Sequence, residues 1–475
     1  MLFNSIQFLV FFIVVTTAYF ILPHKYRWFH LLAASCYFYM AFVPVYILIL
    51  GGTIVIDYIA GIYIEKAAGR KRKMLLTLSI LANIGVLAVF KYYNFFIGNI
   101  NPLFNFHIPY LKILLPIGLS FHTFQAMSYT IEIYRGNQKS ERHFGIYALY
   151  VMFYPQLVAG PIERPQNILH QFHEKKYFNQ NDFFIGIKYI LWGLFKKVVI
   201  ADRLAILVNQ VYGAPQNYSG SMLILATFFF AIQIYCDFSG YSGIAIGAAR
   251  VMGFRLMKNF DNPYSAKSIS QFWKKWHISL STWFRDYLYI SLGGNRVSVP
   301  RWYFNLFFVF LVSGFWHGAN WTFIVWGALH GFYLVFAILL EKPLQKIGDF
   351  FSKIRLSYLY SVLQIGITFL LVTFAWIFFR ANTLSDALHI VKTIGSGNLD
   401  WRGLIDQEGF SKITVGISMV LIAMLFWAES TFVDGLIESK FGVRYKTNLA
   451  FVVLLMVLIL LLGVFQELSF IYYQF

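Results

Sequence analysis

Long uncharged apolar runs set the strongest constraint on this chain. They recur along its whole length, and a run of about 18 apolar residues is long enough to cross a hydrocarbon core of about 30 Å as a helix. Backbone groups in lipid must pair internally, and the runs lack the polar and apolar alternation of a membrane barrel. The sequence therefore predicts an all-α protein, a polytopic transmembrane helical bundle with broken or re-entrant helices and cytoplasmic amphipathic helices.

The runs divide the chain into about eleven membrane elements on this length criterion. The run from Tyr303 to Leu340 would make a straight helix of about 57 Å, so it must break or turn inside the membrane. The run 28–64 should break near Pro44 and Gly51-Gly52. No internal repeat or linker is visible, so residues 1–475 are interpreted as one domain. The candidate spans are residues 3–22, 28–64, 74–97, 111–131, 144–160, 183–208, 221–249, 303–340, 358–379, 411–428 and 448–465.

Basic side chains are concentrated between the apolar runs. Lys and Arg number 39 against 21 Asp and Glu, and in a soluble protein this excess would suggest a nucleic-acid partner. Here the basic residues follow the positive-inside rule instead, so no nucleic acid is expected. Residues 66–73 and 250–301 are rich in Lys and Arg and should face the cytoplasm. Residues 98–111 and 209–220 hold no Lys, Arg, Asp or Glu and should lie outside.

His317 is the strongest candidate for chemistry. It lies in an uncharged run, about 24 Å beyond Arg301 if the helix is continuous, and ionisable groups at membrane depth are functional-site hypotheses by default. The alternative is a histidine that only hydrogen-bonds neighbouring helices. An imidazole, with an ordinary pKa of about 6.5, can take a hydroxyl proton near neutral pH, so that the oxygen attacks a thioester or ester carbonyl. Gly314 and Gly318 allow close approach of a backbone or ligand.

Residues 272–287 form a second candidate. Read as one helix, they carry an aromatic and apolar stripe at spacings of three and four, with basic residues turned away from it. Such a helix would lie at the inner membrane surface, either as a plain anchor or as part of a site. The imidazole of His277 on the apolar face favours the second interpretation. The stripe consists of Trp273, Trp276, His277, Leu280, Phe284 and Tyr287, and the residues turned away are Lys274, Lys275, Ser281 and Arg285.

A third polar cluster surrounds Asp237 in the run 221–249. An unpaired carboxylate at that depth would be costly. Asp237 should therefore either pair with a cation or line a wet substrate cavity, and the sequence leaves both open. Cys36 and Cys236 lie in apolar stretches and are interpreted as small core residues, so neither a disulfide framework nor a metal site is expected.

Five motifs carry a family resemblance. Residues 272–281 (FWKKWHISLS), 285–296 (RDYLYISLGGNR) and 315–321 (FWHGANW) resemble the membrane-bound O-acyltransferase family. Residues 154–164 (YPQLVAGPIER) and 235–242 (YCDFSGYS) narrow the resemblance to its bacterial branch, typified by the membrane subunit for alginate O-acetylation. The similarity runs over most of the chain.

The resemblance implies a catalytic histidine at His317 and a second important histidine at His277. It implies transfer of an acetyl group from a cytoplasmic thioester donor, acetyl-CoA, to an extracytoplasmic polysaccharide such as alginate, directly or through a partner acetyltransferase. The expected location is the bacterial cytoplasmic (inner) membrane, with membrane lipids as further partners and no tightly bound cofactor. The residues expected to bind donor or substrate are Lys274, Lys275, Arg285, Asp237, Trp316 and Asn320.

Two other functions remain open on the sequence. Transfer of D-alanine toward teichoic acid, from an aminoacyl carrier protein, is the nearest alternative within the family. A lipid or polysaccharide transporter is the alternative from another class, in which His317 would be a polar contact along a pathway. A neighbouring gene for a periplasmic acetyltransferase would favour O-acetylation, and one for a D-alanine ligase would favour D-alanyl transfer.

Overall fold

The computed structural model describes residues 1–113, 115–116, 118–157, 160–397, 412–440, 442–443, 445–465 and 470–471. Within these ranges the regular structure is helical, without a strand, so the predicted all-α class is confirmed. Six of the described helices are long and apolar enough to cross a membrane, and the total of about eleven membrane elements stays a prediction. The six are Tyr46–Lys66, Gly69–Phe104, Gly220–Val251, Trp321–Leu339, Ser357–Arg380 and Lys412–Thr431.

The first quarter of the chain contains the predicted break near Pro44. One helix ends at Met40 and the next begins at Tyr46, so this prediction is confirmed. The break predicted at Gly51-Gly52 is wrong, because both glycines lie inside the continuous helix Tyr46–Lys66. The helices are α1 (Ile6–Ile21), α2 (His24–Met40), α3 (Tyr46–Lys66), α4 (Gly69–Leu87), α5 (Tyr93–Phe104) and α6 (Leu119–Arg135), with a π-helical turn over Ala88–Tyr92 joining α4 to α5.

Two predicted spans are wrong in length. In the segment 111–131 the helix begins only at Leu119, directly after Gly118, whose φ of 75° lies in the left-handed region. The segment 144–160 forms only the short helices α7 (Phe144–Met152) and α8 (Tyr154–Leu157), and residues 158–159 lie outside the described part. A helix of nine residues is about 14 Å long and cannot cross a membrane. Because α7 and α8 are buried almost throughout, their apolar sequence reflects packing inside the protein.

The helix Gly220–Val251 is the central element of the bundle. In its most apolar stretch of 18 residues, 83% of the residues are buried. A Cβ on Gly193 would strike the Gly240 carbonyl oxygen, and one on Gly186 would strike that of Gly247, so glycines let two antiparallel helices approach closely. The helices of this part are α9 (Pro165–Ile168), α10 (Gln180–Leu194), α11 (Asp202–Gly213) and α12 (Gly220–Val251), with a π-helical stretch over Phe195–Ala201 between α10 and α11.

The long run 303–340 is broken by a turn, as its length predicted. It forms two helices that meet in a tight hairpin, where a Cβ on Gly314 would collide with the Phe323 carbonyl oxygen. The helices of the last part are α13 (Ile269–Lys275), α14 (Ile278–Trp283), α15 (Val299–His317), α16 (Trp321–Leu339), α17 (Glu341–Lys353), α18 (Ser357–Arg380), α19 (Leu384–Gly395), α20 (Lys412–Thr431), α21 (Val433–Ile437) and α22 (Tyr445–Leu462), with a π-helical turn over Phe284–Tyr289 after α14.

Loops that the charge pattern assigns to opposite sides lie at opposite ends of the bundle. At one end, hydrogen bonds connect the uncharged loops to the α15–α16 turn. These bonds are Trp321 Nε1 to Asn99 Oδ1 (3.0 Å), Asn320 Nδ2 to the Asn382 carbonyl (3.2 Å) and Asn382 Nδ2 to the Tyr212 carbonyl (3.3 Å). At the other end, Arg72 donates to the Ile133 carbonyl (2.9 Å) and Arg135 to the Asp286 carbonyl (2.9 Å).

The orientation of the bundle leads to a labelling prediction. Single cysteines placed in segments 66–73 and 250–301 should resist a membrane-impermeant thiol reagent in intact cells, whereas cysteines in 98–111 and 209–220 should react. The reason is the bias of Lys and Arg toward cytoplasmic loops. The cysteines are placed at exposed positions in a background protein with Cys36 and Cys236 replaced, and cells opened with detergent serve as the control in which all of them react. External labelling at position 70 would reverse the orientation.

Candidate active site

His317 is the last residue of α15, a continuous helix from Val299. The chain leaves the helix at Gly318, where a Cβ would run into the ring of Phe323, so the turn needs glycine. The next helix begins at Trp321, and Asn320 caps it because its Oδ1 accepts a hydrogen bond from the Thr322 amide (3.1 Å). The imidazole of His317 therefore projects from a helix end within the bundle.

Aromatic rings surround the His317 imidazole, which is 4% exposed. The ring centroids of Trp316, Trp326 and Phe379 lie 4.9, 5.0 and 5.3 Å from that of His317, each with its edge or face turned toward the imidazole. Trp316 also stacks on Phe124 at 5.1 Å. Trp316 thus forms part of the wall around the predicted catalytic group, and Asn320 supports the turn that follows it.

Two residues that the sequence interpretation missed bind the last turn of α15. Lys91 Nζ donates to the carbonyl of Trp316 (2.8 Å) and to that of His317 (3.0 Å). The Tyr92 hydroxyl donates to the carbonyl of Phe315 (3.2 Å), and the two aromatic rings stack at 4.3 Å. Lys91 could have been found in the sequence, because it is the only Lys, Arg, Asp or Glu between Lys73 and Lys112.

The segment 272–287 is not one helix, which corrects the sequence interpretation. Helix α13 ends at Lys275, α14 begins at Ile278, and His277 between them has a φ of 43° in the left-handed region. A residue other than glycine rarely adopts this conformation, and such positions cluster at functional sites. The break turns His277 into the protein, where it is fully buried.

The apolar stripe itself is confirmed. All six of its members are buried, while Lys274 and Arg285 are exposed and Lys275 and Ser281 are half-buried. The stripe faces the protein core, with the ring of Trp273 5.1 Å from that of Phe310 on α15. A plain membrane anchor would turn this face to lipid, so the burial argues against the anchor interpretation.

Asn259 holds His277 in place and was not found from the sequence. Its Oδ1 lies 3.1 Å from His277 Nδ1 and accepts hydrogen bonds from the amide (3.2 Å) and hydroxyl (2.9 Å) of Ser279. Its Nδ2 donates to the Ser242 hydroxyl at 3.1 Å. If His277 donates from Nδ1 to this oxygen, its Nε2 carries the lone pair.

The two predicted histidines lie in the same part of the bundle. The ring of Phe121 is 6.1 Å from that of His277 and 5.6 Å from that of Trp316, the neighbour of His317. The ring of Trp326 lies 5.0 Å from that of His317 and 5.0 Å from that of a third histidine, His330. His330, which sequence reasoning did not single out, accepts a hydrogen bond from Trp273 Nε1 (3.2 Å).

A cavity of about 680 Å³ opens between α13, α14, α15 and α16. Its exposed residues include Lys274, Arg285 and Glu341, and its buried lining includes Trp273 and Ser313. Ser313 precedes His317 by one helical turn and so shares its face of α15. The cavity therefore leads from the basic segment 250–301 to within one turn of His317.

A pair of indole rings separates this cavity from the imidazole. Trp273 lines the cavity and contacts Trp326 at a centroid distance of 5.7 Å, and Trp326 in turn contacts His317.

Lys275 does not line this cavity. Its Nζ donates to the Ser265 hydroxyl (2.8 Å), and Ser265 lines a different cavity of about 590 Å³ together with Tyr264 and Glu429. Arg285, although at the first cavity, also pairs with Asp286 (2.7 Å). The three basic residues grouped by the sequence interpretation therefore differ in what they can bind.

Asp237 pairs with a cation. This is the first of the two roles that the sequence left open, the other being to line a wet substrate cavity. Lys197 Nζ lies 2.8 Å from both Asp237 Oδ1 and Asp202 Oδ1, and all three side chains are at most 3% exposed. The other oxygen of Asp237 accepts from the Ile471 amide (2.9 Å). The geometry favours a structural ion pair for Asp237 over the donor contact that the sequence interpretation assigned to it.

The apolar helices define a multi-pass membrane protein, and the buried histidines beside a cavity form its candidate active site. A family model described as the membrane-bound O-acyltransferase family matches residues 143–379, a range that includes His277 and His317. Together with the relatives below, this match shows that the chain belongs to the membrane-bound O-acyltransferase family and is an O-acyltransferase. Membership of this family therefore decides for an enzyme and against the transporter alternative.

The relatives confirm the resemblance to the alginate O-acetylation branch. A probable alginate O-acetylase of Pseudomonas aeruginosa is 37% identical over 448 residues, covering 93% of this chain and 84% of the relative. A peptidoglycan O-acetyltransferase of Helicobacter pylori is 38% identical over 389 residues, covering 76% and 72%. A teichoic acid D-alanyltransferase of Streptococcus thermophilus is 29% identical over 236 residues, covering 46% and 56%.

Proposed function

We propose that the protein transfers an acetyl group from acetyl-CoA at the cytoplasmic face to a hydroxyl of an extracytoplasmic polysaccharide, such as alginate, directly or through a partner acetyltransferase. The bacterial inner membrane is the proposed location. Names of two relatives support this choice, because they refer to O-acetylation of alginate and of peptidoglycan. The acceptor would approach from the end of the bundle that holds the α15–α16 turn.

The cavity beside α15 is the observation that carries the proposal. Its open end has two basic side chains, Lys274 and Arg285, which attract the phosphate groups of coenzyme A. Its interior is largely apolar with several hydroxyl side chains, and it ends one helical turn from His317. For a thioester held there to react at His317 with a hydroxyl arriving from the opposite end, the side chains of Trp273 and Trp326, which separate the cavity from the imidazole, must move aside.

The proposed chemistry is a direct acyl transfer. His317 takes the proton of the acceptor hydroxyl, and the oxygen attacks the thioester carbonyl to form a tetrahedral intermediate. The carbon–sulfur bond then breaks, and the departing thiolate of coenzyme A recovers the proton from His317. The products are the acetyl ester and the free thiol. His277, held by Asn259, acts on the donor side of the site.

Reconstitution in vesicles tests the function. Purified protein receives acetyl-CoA labelled in the acetyl group on one face and an oligomannuronate acceptor on the other, with and without the partner acetyltransferase, and base-labile acetate on the glycan is measured. Label should pass to the glycan with wild-type protein and not with vesicles that lack the protein. A parallel reaction receives a D-alanyl carrier protein as the donor instead of acetyl-CoA. Transfer from a D-alanyl carrier protein, with none from acetyl-CoA, would overturn the proposal in favour of D-alanyl transfer.

Donor binding should distinguish two adjacent lysines. Lys274→Gln should raise the apparent KM for acetyl-CoA about 2- to 5-fold, the range of an exposed charge pair, and leave kcat nearly unchanged. The reason is that Lys274 lines the cavity. Added salt should weaken donor binding to wild-type protein more than to the variant, because the attraction is screened.

Lys275→Gln is the matched control, since Lys275 bonds to Ser265 at the other cavity. It should leave the donor KM unchanged in detergent, where anionic lipid cannot contribute. Equal effects of the two substitutions, or no effect of either, would move the donor site elsewhere on the cytoplasmic face.

A further inference from the structure

Lys91 stands alone in an apolar stretch. No other Lys, Arg, Asp or Glu occurs from residue 74 to residue 111, and the helix Gly69–Phe104 that contains it is apolar enough to cross a membrane. A basic side chain at such a position is costly unless it has a defined partner. Its partners, as described above, are the carbonyls of Trp316 and His317.

The end of α15 needs such a partner. The last carbonyls of a helix accept no hydrogen bond from within the helix, and the chain turns away at Gly318. Basic groups are favoured at a helix C-terminus, where the dipole is negative. Lys91 reaches this end from a different helix, so it links the orientation of His317 to the α4–α5 segment.

Lys91 and Tyr92 are consecutive residues that bind the same target. They contact three successive carbonyls of α15, those of residues 315, 316 and 317. Both belong to the π-helical turn Ala88–Tyr92, and such turns occur frequently at functional sites.

We propose that Lys91 is a positioning residue that holds the last turn of α15 and thereby directs the imidazole of His317. This inference rests on the proposed function of His317 as the base. It does not make Lys91 a contact of either substrate. The effect of losing Lys91 should therefore fall on turnover and not on donor binding.

Three variants test this role. Lys91→Met should lower kcat about 10²-fold, because a small misplacement of a catalytic group has effects of this size, while the donor KM stays within about 2-fold. Lys91→Arg keeps a donor to the carbonyls and should recover most of the turnover. Lys73→Met, an exposed change in the same helix, is the matched control and should behave as wild type.

Hydrogen exchange gives a readout that does not depend on the reaction. Peptides covering residues 310–320 should exchange faster in Lys91→Met than in wild type, and Lys91→Arg should restore protection. Unchanged exchange, unchanged turnover, or a loss of turnover accompanied by an equal loss of donor binding and of melting temperature would each overturn the positioning role. An inactive wild-type protein would count against the proposed function alone, because exchange still tests Lys91.

Discussion

Replacing His317 with alanine is expected to lower acetyl transfer about 10²–10⁴-fold, the contribution of a general base. The protein should still accumulate in the membrane, because the change removes an imidazole from the end of α15 without altering the glycine contacts that hold α15 to α16. The measurement is ester-linked acetate released by base from the glycan of cells that carry the variant, normalised to the amount of protein in the membrane.

His30→Ala is a suitable control for the loss of a membrane histidine. The His30 imidazole bonds to the Val15 carbonyl (3.0 Å) between the first two helices, away from the motifs that surround His317. It should keep near-normal acetate. If His317→Ala also kept near-normal acetate, His317 would be eliminated as the base and its role would reduce to a contact between helices.

His277→Asn is expected to reduce turnover about 10²-fold, at the lower end of the range for a group acting in proton transfer. Asparagine is chosen because it adopts the left-handed conformation more readily than alanine, so the break between α13 and α14 can persist while the imidazole is lost. Turnover is measured with purified protein at saturating acetyl-CoA, and the melting temperature is recorded for each preparation.

Asn262→Gly is the control for the backbone conformation. Asn262 has a φ of 46°, close to that of His277, but its side chain donates to the Glu429 carbonyl (3.0 Å) at the second cavity. This variant should retain wild-type turnover. If His277→Asn kept wild-type turnover, the role of His277 would be to form the left-handed turn, and its imidazole would not act in the reaction.

The aromatic wall around the site bears on both predictions. Trp316, Trp326 and Phe379 enclose His317, and Phe238 lies 4.6 Å from His277. Exclusion of water strengthens electrostatic interactions at a reacting centre. Because the surroundings are rigid rings, the loss of an imidazole leaves the walls in place, and the expected losses are losses of chemistry.

Several features of the molecule followed from the sequence, since they depend on local composition and period. The apolar runs predicted an all-helical membrane bundle, and the length of 303–340 predicted its turn, because the thickness of a membrane limits a helix. The spacing in 272–287 predicted the buried stripe correctly. His317 was found because an ionisable residue in an apolar run is conspicuous, and Lys91 met the same criterion but was overlooked.

Other features depended on contacts between residues far apart in the chain, which no local pattern contains. The apolar segment 144–160 was predicted as a span, but it is short and buried by protein, and hydropathy does not distinguish burial in protein from burial in lipid. Asp237 pairs with Lys197, which lies on another helix. The break at His277 depends on Asn259, which holds the turn through its side chain and its carbonyl.

For the basic residues, too, the sequence predicts one property and the tertiary structure determines another. The sequence predicts that Lys274 and Lys275 lie on the cytoplasmic side, because the bias of Lys and Arg sets orientation. Only the tertiary structure decided that Lys274 lines the cavity below His317 while Lys275 bonds to Ser265. Adjacent side chains on a helix point about 100° apart, and which of them meets a cavity depends on the helices that pack on either side.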